Sequence, residues 1–265
     1  MTLLAIETST AWPSAAVVAA SGEALGVSRP ADGPRQTRRL LEGVHEALTA
    51  AGLKLGDLDT VVCGLGPGTF TGLRIGVATA RALAQAAGLA LGGVPTLEAL
   101  AGGLAAGEPG ASAAVFAPLV DGRRHEVFAA VYERSTMVEA SGEAPGEAPG
   151  RAAAQAADRW PRLRQAAPLR AVAAEQLGAF LSAWPGAVTG GDGAVLYADR
   201  LPAAVVHDGA VAAPTALMVA RTWLAGSPGA RHGLADTLPI YGRRPDASPL
   251  APTGPTGLAR GEGGS

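Results

Sequence analysis

An α/β protein of mixed sheets is what the sequence predicts, and two observations carry that prediction. Short apolar runs alternate with stretches whose apolar residues recur at helical spacing. The chain also opens on three apolar runs in succession and repeats a strand-turn-strand pattern after Gly107. A doubly wound dinucleotide fold would instead alternate strand and helix from the start.

Residues 3–9 (LLAIETS) read as a buried strand ending in a polar cluster. Residues 14–20 form a second strand, and Ser21-Gly22-Glu23 turns the chain into a third at 24–28. A helix is expected over 36–51, where Leu40, Leu41, Val44, Leu48 and Ala51 share a face and Gly52 ends it. Residues 59–65 make a strand, GPGTFTG a tight connection, and 73–87 a helix closed by Gly88. A short strand at 89–94 and a helix at 95–104 complete a β-β-β-α-β-α-β-α order.

The second region begins with a strand at 113–120, a turn at Asp121-Gly122-Arg123-Arg124 and a partner strand at 126–133. Residues 139–158 are low in complexity, with Glu-Ala-Pro-Gly repeated in tandem, and read as a surface excursion. A short strand at 187–189 runs into Gly190-Gly191-Asp192-Gly193, whose Asp192 is expected to serve the turn. A helix is expected at 215–224 with Pro214 at its start. The expected division is a first lobe at 1–104, rejoined by a helix within 214–232, and a smaller second lobe at 105–213. The tail 245–265 has nine Gly or Pro among 21 residues and is expected to be disordered.

Composition narrows the function classes. The 265 residues are 48% hydrophobic and 17% charged, with a formal net charge of −2, so a core is within reach and general nucleic-acid attraction is not. The one cysteine, Cys63, excludes an internal disulfide framework and a cysteine-based zinc site, and its apolar run TVVCGLG makes it a small core residue. Every long apolar stretch is interrupted before it could span a bilayer, and MTLLAIETST lacks the basic start of a signal peptide. A soluble cytoplasmic protein is the expectation. The four histidines, His45, His125, His207 and His232, are too far apart in sequence for a helical ligand pair, so no metal ligands are assigned. No Gly-x-Ser-x-Gly elbow occurs, and no catalytic residue is assigned.

The most informative segment is GPGTFTGLRIG, residues 66–76. It follows a strand and opens a helix, so amides around Gly66, Gly68, Thr69, Thr71 and Gly72 could receive an anion or a nucleotide phosphate. It lacks the Gly-Lys-Ser/Thr of a Walker A loop, and its glycines do not have dinucleotide-fingerprint spacing. The other reading is a glycine turn that lets backbone pass close to a neighbour, and sequence leaves both open. The helix that follows is small and apolar nearly all round, interrupted by Arg74, Thr79, Arg81 and Gln85. Such a helix needs cover on two sides: the sheet on one, and a second chain or the second lobe on the other.

ETST, GPGTFTGLRIG with its alanine-rich helix, VPTLEALA, DGRRHEVFAAVY, GGDG and PIYGRRPD together resemble the TsaB (YeaZ) family. The resemblance covers residues 1–246. It departs at Gln36-Thr37-Arg38 and at Tyr241-Gly242-Arg243, where the family usually has Tyr-Leu-Arg. The resemblance implies an actin-like ATPase (ribonuclease H-like) fold of two similar lobes, each a mixed sheet flanked by helices. It also implies a non-catalytic scaffold that pairs with TsaD, joined by TsaE, for threonylcarbamoylation of the adenosine beside the anticodon of tRNA. The contact surface expected is Arg38, Leu41, Glu42 and His45 on the first helix with Arg74, Ala78, Arg81 and Gln85 on the second. No cofactor is expected in the isolated chain, with ATP or ADP placed at the TsaD interface. A homodimer is expected when the chain is alone, and tRNA contact mainly through the complex. The rival readings are an ATP/ADP-binding regulatory module and an independent kinase or metallopeptidase.

Overall fold

The computed structural model describes residues 1–28, 39–135, 160–226 and 229–243. The stretch 139–158, the tail 245–265, Arg38 and Arg244 lie outside the described residues.

Strands β1 (Thr2–Glu7), β2 (Ser14–Ala19) and β3 (Ala24–Ser28) form an antiparallel meander, with Ile6 opposite Ala15 and Val17 opposite Gly26. On its other side β1 runs parallel to β4 (Thr60–Gly64), and β4 parallel to β5 (Ala90–Val94). The second sheet repeats this plan. Strands β6 (Val115–Arg123), β7 (Glu126–Arg134) and β8 (Leu163–Ala173) make the meander, and β9 (Val188–Gly190) and β10 (Val206–His207) extend β6 in parallel. A two-residue strand, β11 (Arg231–His232), closes the free edge of β5 antiparallel. The strand orders are β11-β5-β4-β1-β2-β3 and β10-β9-β6-β7-β8. These are two lobes of one topology, each a mixed sheet, as the fold class expected from the sequence has it.

Helices α1 (Leu40–Ala51) and α2 (Phe70–Ala87) cover one face of the first sheet. Leu40, Val44 and Ala47 of α1, with Val77, Ala80 and Ala84 of α2, pack on Leu4, Ile6, Val17, Val61 and Cys63. Both helices end where the sequence places a glycine: Gly52 and Gly88 each have φ of 67°, and their amides cap the last carbonyls. Helix α3 (Thr96–Ala106) is buried from Thr96 to Ala105 because it lies between the lobes. Leu97, Leu100 and Leu104 face Phe116 and Val120 of the second sheet, while Ala99 joins the first-lobe core. The lobe boundary expected at 104 therefore falls within a helix that both sheets share.

The second lobe also carries α4 (Leu177–Ser182) and the short α5 (Asp192–Leu196). Helix α6 (Ala216–Leu224) returns to the first lobe, where Val219 and Ala220 pack with Leu3, Ala5 and Val62. The hydroxyl of Thr215 accepts from the Met218 amide and caps it. The helix agrees with the one expected at 215–224 and is shorter than the 214–232 of the expected division: it ends at Leu224, Gly226 turns at φ 72°, and Arg231–His232 are strand. After α7 (Gly233–Asp236) the chain runs along the first lobe and reaches the second at Gly242 and Arg243.

Candidate functional site

The carboxyl end of β1 carries the polar cluster that ends the first apolar run, and the structure packs it against the glycine-rich loop. Glu7 is completely buried. Its Oε1 accepts from the Ser9 amide at 2.6 Å and its Oε2 from the Thr96 hydroxyl at 3.0 Å. The same Thr96 oxygen accepts from the Gly66 amide at 3.1 Å. One hydroxyl thus joins the end of β1, the start of the loop and the first turn of α3. Burial raises the Glu7 carboxyl above its ordinary value, and these hydrogen bonds offset only part of that rise.

The loop's glycines meet backbone at close range. A Cβ on Gly68 would overlap the Ser9 carbonyl, and one on Gly72 the Thr8 carbonyl. One on Gly76 would overlap the Thr8 hydroxyl, and Gly66 lies against the Ile240 carbonyl. The Thr69 amide donates to the Ser9 carbonyl at 2.7 Å, and the Thr8 hydroxyl to the Gly72 carbonyl at 2.9 Å. Thr71 is exposed. Backbone therefore passes close to the loop's glycines, and the ETST segment lies across the amino end of α2.

The second candidate is the outer layer made by α1 and α2. Leu41, Glu42 and His45 are exposed on α1, with Leu41 59% accessible. Thr71, Arg74, Ala78, Ala82 and Gln85 are exposed on α2 at spacings of three and four, one stripe opposite Leu73, Val77, Ala80 and Ala84. The two helices lie over different strands of the same sheet face: α1 over β2 and β3, α2 mainly over β4. The expected residues thus share one face, with Arg38 outside the described residues.

Three of them have partners within the chain. Arg81 is half-buried and donates to the carbonyls of Leu234 and Thr237, which fastens α7 to α2. The Arg74 guanidinium sits 3.9 Å over the Phe70 ring and its Nε donates to the Tyr241 hydroxyl at 3.3 Å. Glu42 pairs with Arg39 at 2.6 Å, an exposed contact of small energetic weight.

Elsewhere, Asp192 accepts from the Asp121 amide at 3.0 Å, and its carboxyl is pushed up to about 6 by burial, with the Asp121 charge adding to the rise. Asp121 also pairs with Arg123 at 3.1 Å, and Glu126 pairs with Arg243. Cys63 is fully buried and its thiol is pushed up to about 12 by burial. The four histidines are exposed, and among the described residues no group of three or more His, Cys, Asp or Glu could hold a metal ion. Sequence reasoning missed Thr96, Phe70 and Tyr241 as members of these arrangements. Glu7 stands inside an apolar run in the sequence, but it was assigned no role there.

Comparison with known proteins agrees with this geometry. A family model described as TsaD, tRNA N6-adenosine threonylcarbamoyltransferase, matches residues 33–161. An uncharacterised protein of Mycobacterium leprae is 40% identical over 133 residues, covering 49% of this chain and 35% of that protein. The tRNA threonylcarbamoyladenosine biosynthesis protein TsaB of Escherichia coli is 42% identical over 102 residues, covering 38% of this chain and 43% of the relative. The solved structure of YeaZ from Pseudomonas aeruginosa superposes with a TM-score of 0.65 at 26% identity, over 91% of this chain and 99% of that one. The matches to the curated relatives from M. leprae, Mycobacterium bovis and E. coli span between 35% and 59% of their lengths. The glycine loop, the paired lobes, the TsaB relatives and the YeaZ structural match together support the TsaB/YeaZ family for this chain.

Proposed function

We propose that this chain acts in the biosynthesis of threonylcarbamoyladenosine in tRNA, as a non-catalytic cytoplasmic subunit that docks on a TsaD-type transferase. The observation that carries this reading is the stripe Thr71, Arg74, Ala78, Ala82 and Gln85, exposed on a helix whose opposite face is packed on the sheet. Small side chains let a partner helix approach closely, and Leu41 on α1 adds apolar area beside it. The scaffold assignment is supported by the withdrawal of Glu7 from solvent into three hydrogen-bonded elements. Buried in that way, Glu7 joins the end of β1 to the connection after it and to α3. Within the same proposal, TsaE joins the pair, ATP or ADP binds at the junction, and tRNA is held mainly by the assembled complex. When the partner is absent, the stripe pairs two copies of this chain.

Size-exclusion chromatography with light scattering tests the proposal, on this protein alone and mixed with TsaD of the same organism. A new one-to-one species is the expected result. Two folded proteins that elute separately at micromolar concentration would overturn it.

A further inference from the structure

The four residues Ile240 to Arg243 touch both lobes in succession. The Ile240 amide donates to the Leu65 carbonyl at 2.7 Å, just before the glycine loop. The Tyr241 ring lies 5.3 Å from that of Phe70, at the amino end of α2, and its hydroxyl accepts from Arg74. Gly242 then lies against the Phe128 ring of β7, so closely that a Cβ would overlap it. The Arg243 guanidinium donates to the Gly122 carbonyl at 3.2 Å and pairs with Glu126 in the second lobe.

Arg243 meets the second lobe at its most unusual backbone. Arg123, Arg124 and His125 are consecutive non-glycine residues with φ of 60°, 52° and 60°. A run of left-handed residues persists only where its surroundings hold it. Here Asp121 accepts from the Arg123 amide at 2.8 Å, the Ala174 amide donates to the His125 carbonyl at 2.8 Å, and Arg243 takes the Gly122 carbonyl. The turn is therefore held partly by a residue whose near neighbours in sequence are fastened to α2.

We propose that Ile240–Arg243 is a strap that couples the amino end of α2 to the turn Asp121–Glu126. Four residues span at most about 14 Å, and all four are engaged. The strap thus has no slack to absorb a displacement at either end. Arg74 belongs to the exposed stripe, so occupation of that stripe is transmitted to the second lobe. The last step rests on the docking function proposed above; the coupling itself does not.

Hydrogen exchange on the full chain tests the coupling from both ends. Tyr241→Ala, which removes the contacts with Phe70 and Arg74, is read at the amides of Asp121–Glu126. Arg243→Glu, which breaks the contacts with Gly122 and Glu126, is read at the amides of Phe70–Arg74. Each is expected to speed exchange at the far end by roughly 2- to 30-fold relative to amides in α6. The reversed pair Glu126→Arg with Arg243→Glu is expected to restore it in part, through the ion pair alone, because glutamate cannot donate to the Gly122 carbonyl. Tyr241→Phe and Arg243→Gln replace the first two variants if either fails to fold. Changes confined to the mutated end, or a reversed pair that restores nothing, overturn the strap. Because the measurement uses the chain alone, absence of a TsaD complex would remove the docking reading and leave this result unaffected.

Discussion

Replacing Gly72 with alanine sets two effects against each other. In a helix, alanine is favoured over glycine by up to about 1 kcal/mol. At this position the added Cβ would overlap the Thr8 carbonyl and lie 2.5 Å from the Thr69 hydroxyl. The first obstacle is backbone in the connection after β1, so the chain must shift, at a cost of about 1–3 kcal/mol for overpacking. The same shift strains the buried bond from the Thr8 hydroxyl to the Gly72 carbonyl, a further loss of about 1 kcal/mol. The net expectation is destabilisation by about 1–3 kcal/mol. For a chain of this size that lowers Tm by roughly 2–12 °C. Calorimetry, with urea titration to verify an unchanged m-value, measures it. A Tm equal to or above that of the wild type would refute the argument. It would mean that ETST does not press on the loop and that the loop's amides face open space.

The other predictions address partner contact, burial and pH. Ala78→Glu is expected to abolish pairing in light scattering while changing monomer stability by no more than about 0.5 kcal/mol, since Ala78 is exposed; normal complex formation would move the docking face elsewhere. Thr96→Val leaves the Gly66 amide and a Glu7 oxygen without their shared hydroxyl and is expected to cost about 1–3 kcal/mol in urea titration. An unchanged midpoint would exclude Thr96 as the joint between these elements. Asp192→Asn tests a pH dependence whose sign follows from burial. The folded chain holds that proton up to about pH 6, whereas the ordinary value is 3.8. The favourable contribution is complete below pH 3.8 and is lost as pH rises through about 6, in total about 3 kcal/mol. The stability of wild type relative to Asp192→Asn should therefore fall across that window, and a flat difference would rule out a buried neutral Asp192.

Some elements were legible because their signals are local. The glycine after each of the first two helices needs only a left-handed φ, and Gly52 and Gly88 adopt it. The first two strands are continuous apolar runs, as buried strands are. Strand β8 was not legible, because it is an edge strand with exposed arginines, Pro168 in its middle and irregular pairing near Val131. Helix α3 was expected at 95–104 and is found at Thr96–Ala106, but its burial on all sides was not legible, because a helix between two sheets has no polar face to mark which side packs.

At the candidate site the sequence by itself determined which residue types were available: a carboxylate within an apolar run, glycines between a strand and a helix, and alanines along that helix. Chain-local chemistry, such as backbone freedom and helical spacing, is enough for that. Tertiary structure alone decided what these residues meet. Thr8 and Ser9 fill the approach to the glycine loop from 64 or fewer positions away, Arg81 is engaged by carbonyls near residue 237, and Tyr241 lies beside Phe70. Such contacts join segments whose separation in sequence carries no periodic trace. They form only when the folded chain brings the end of β1, the start of α2 and the C-terminal residues together.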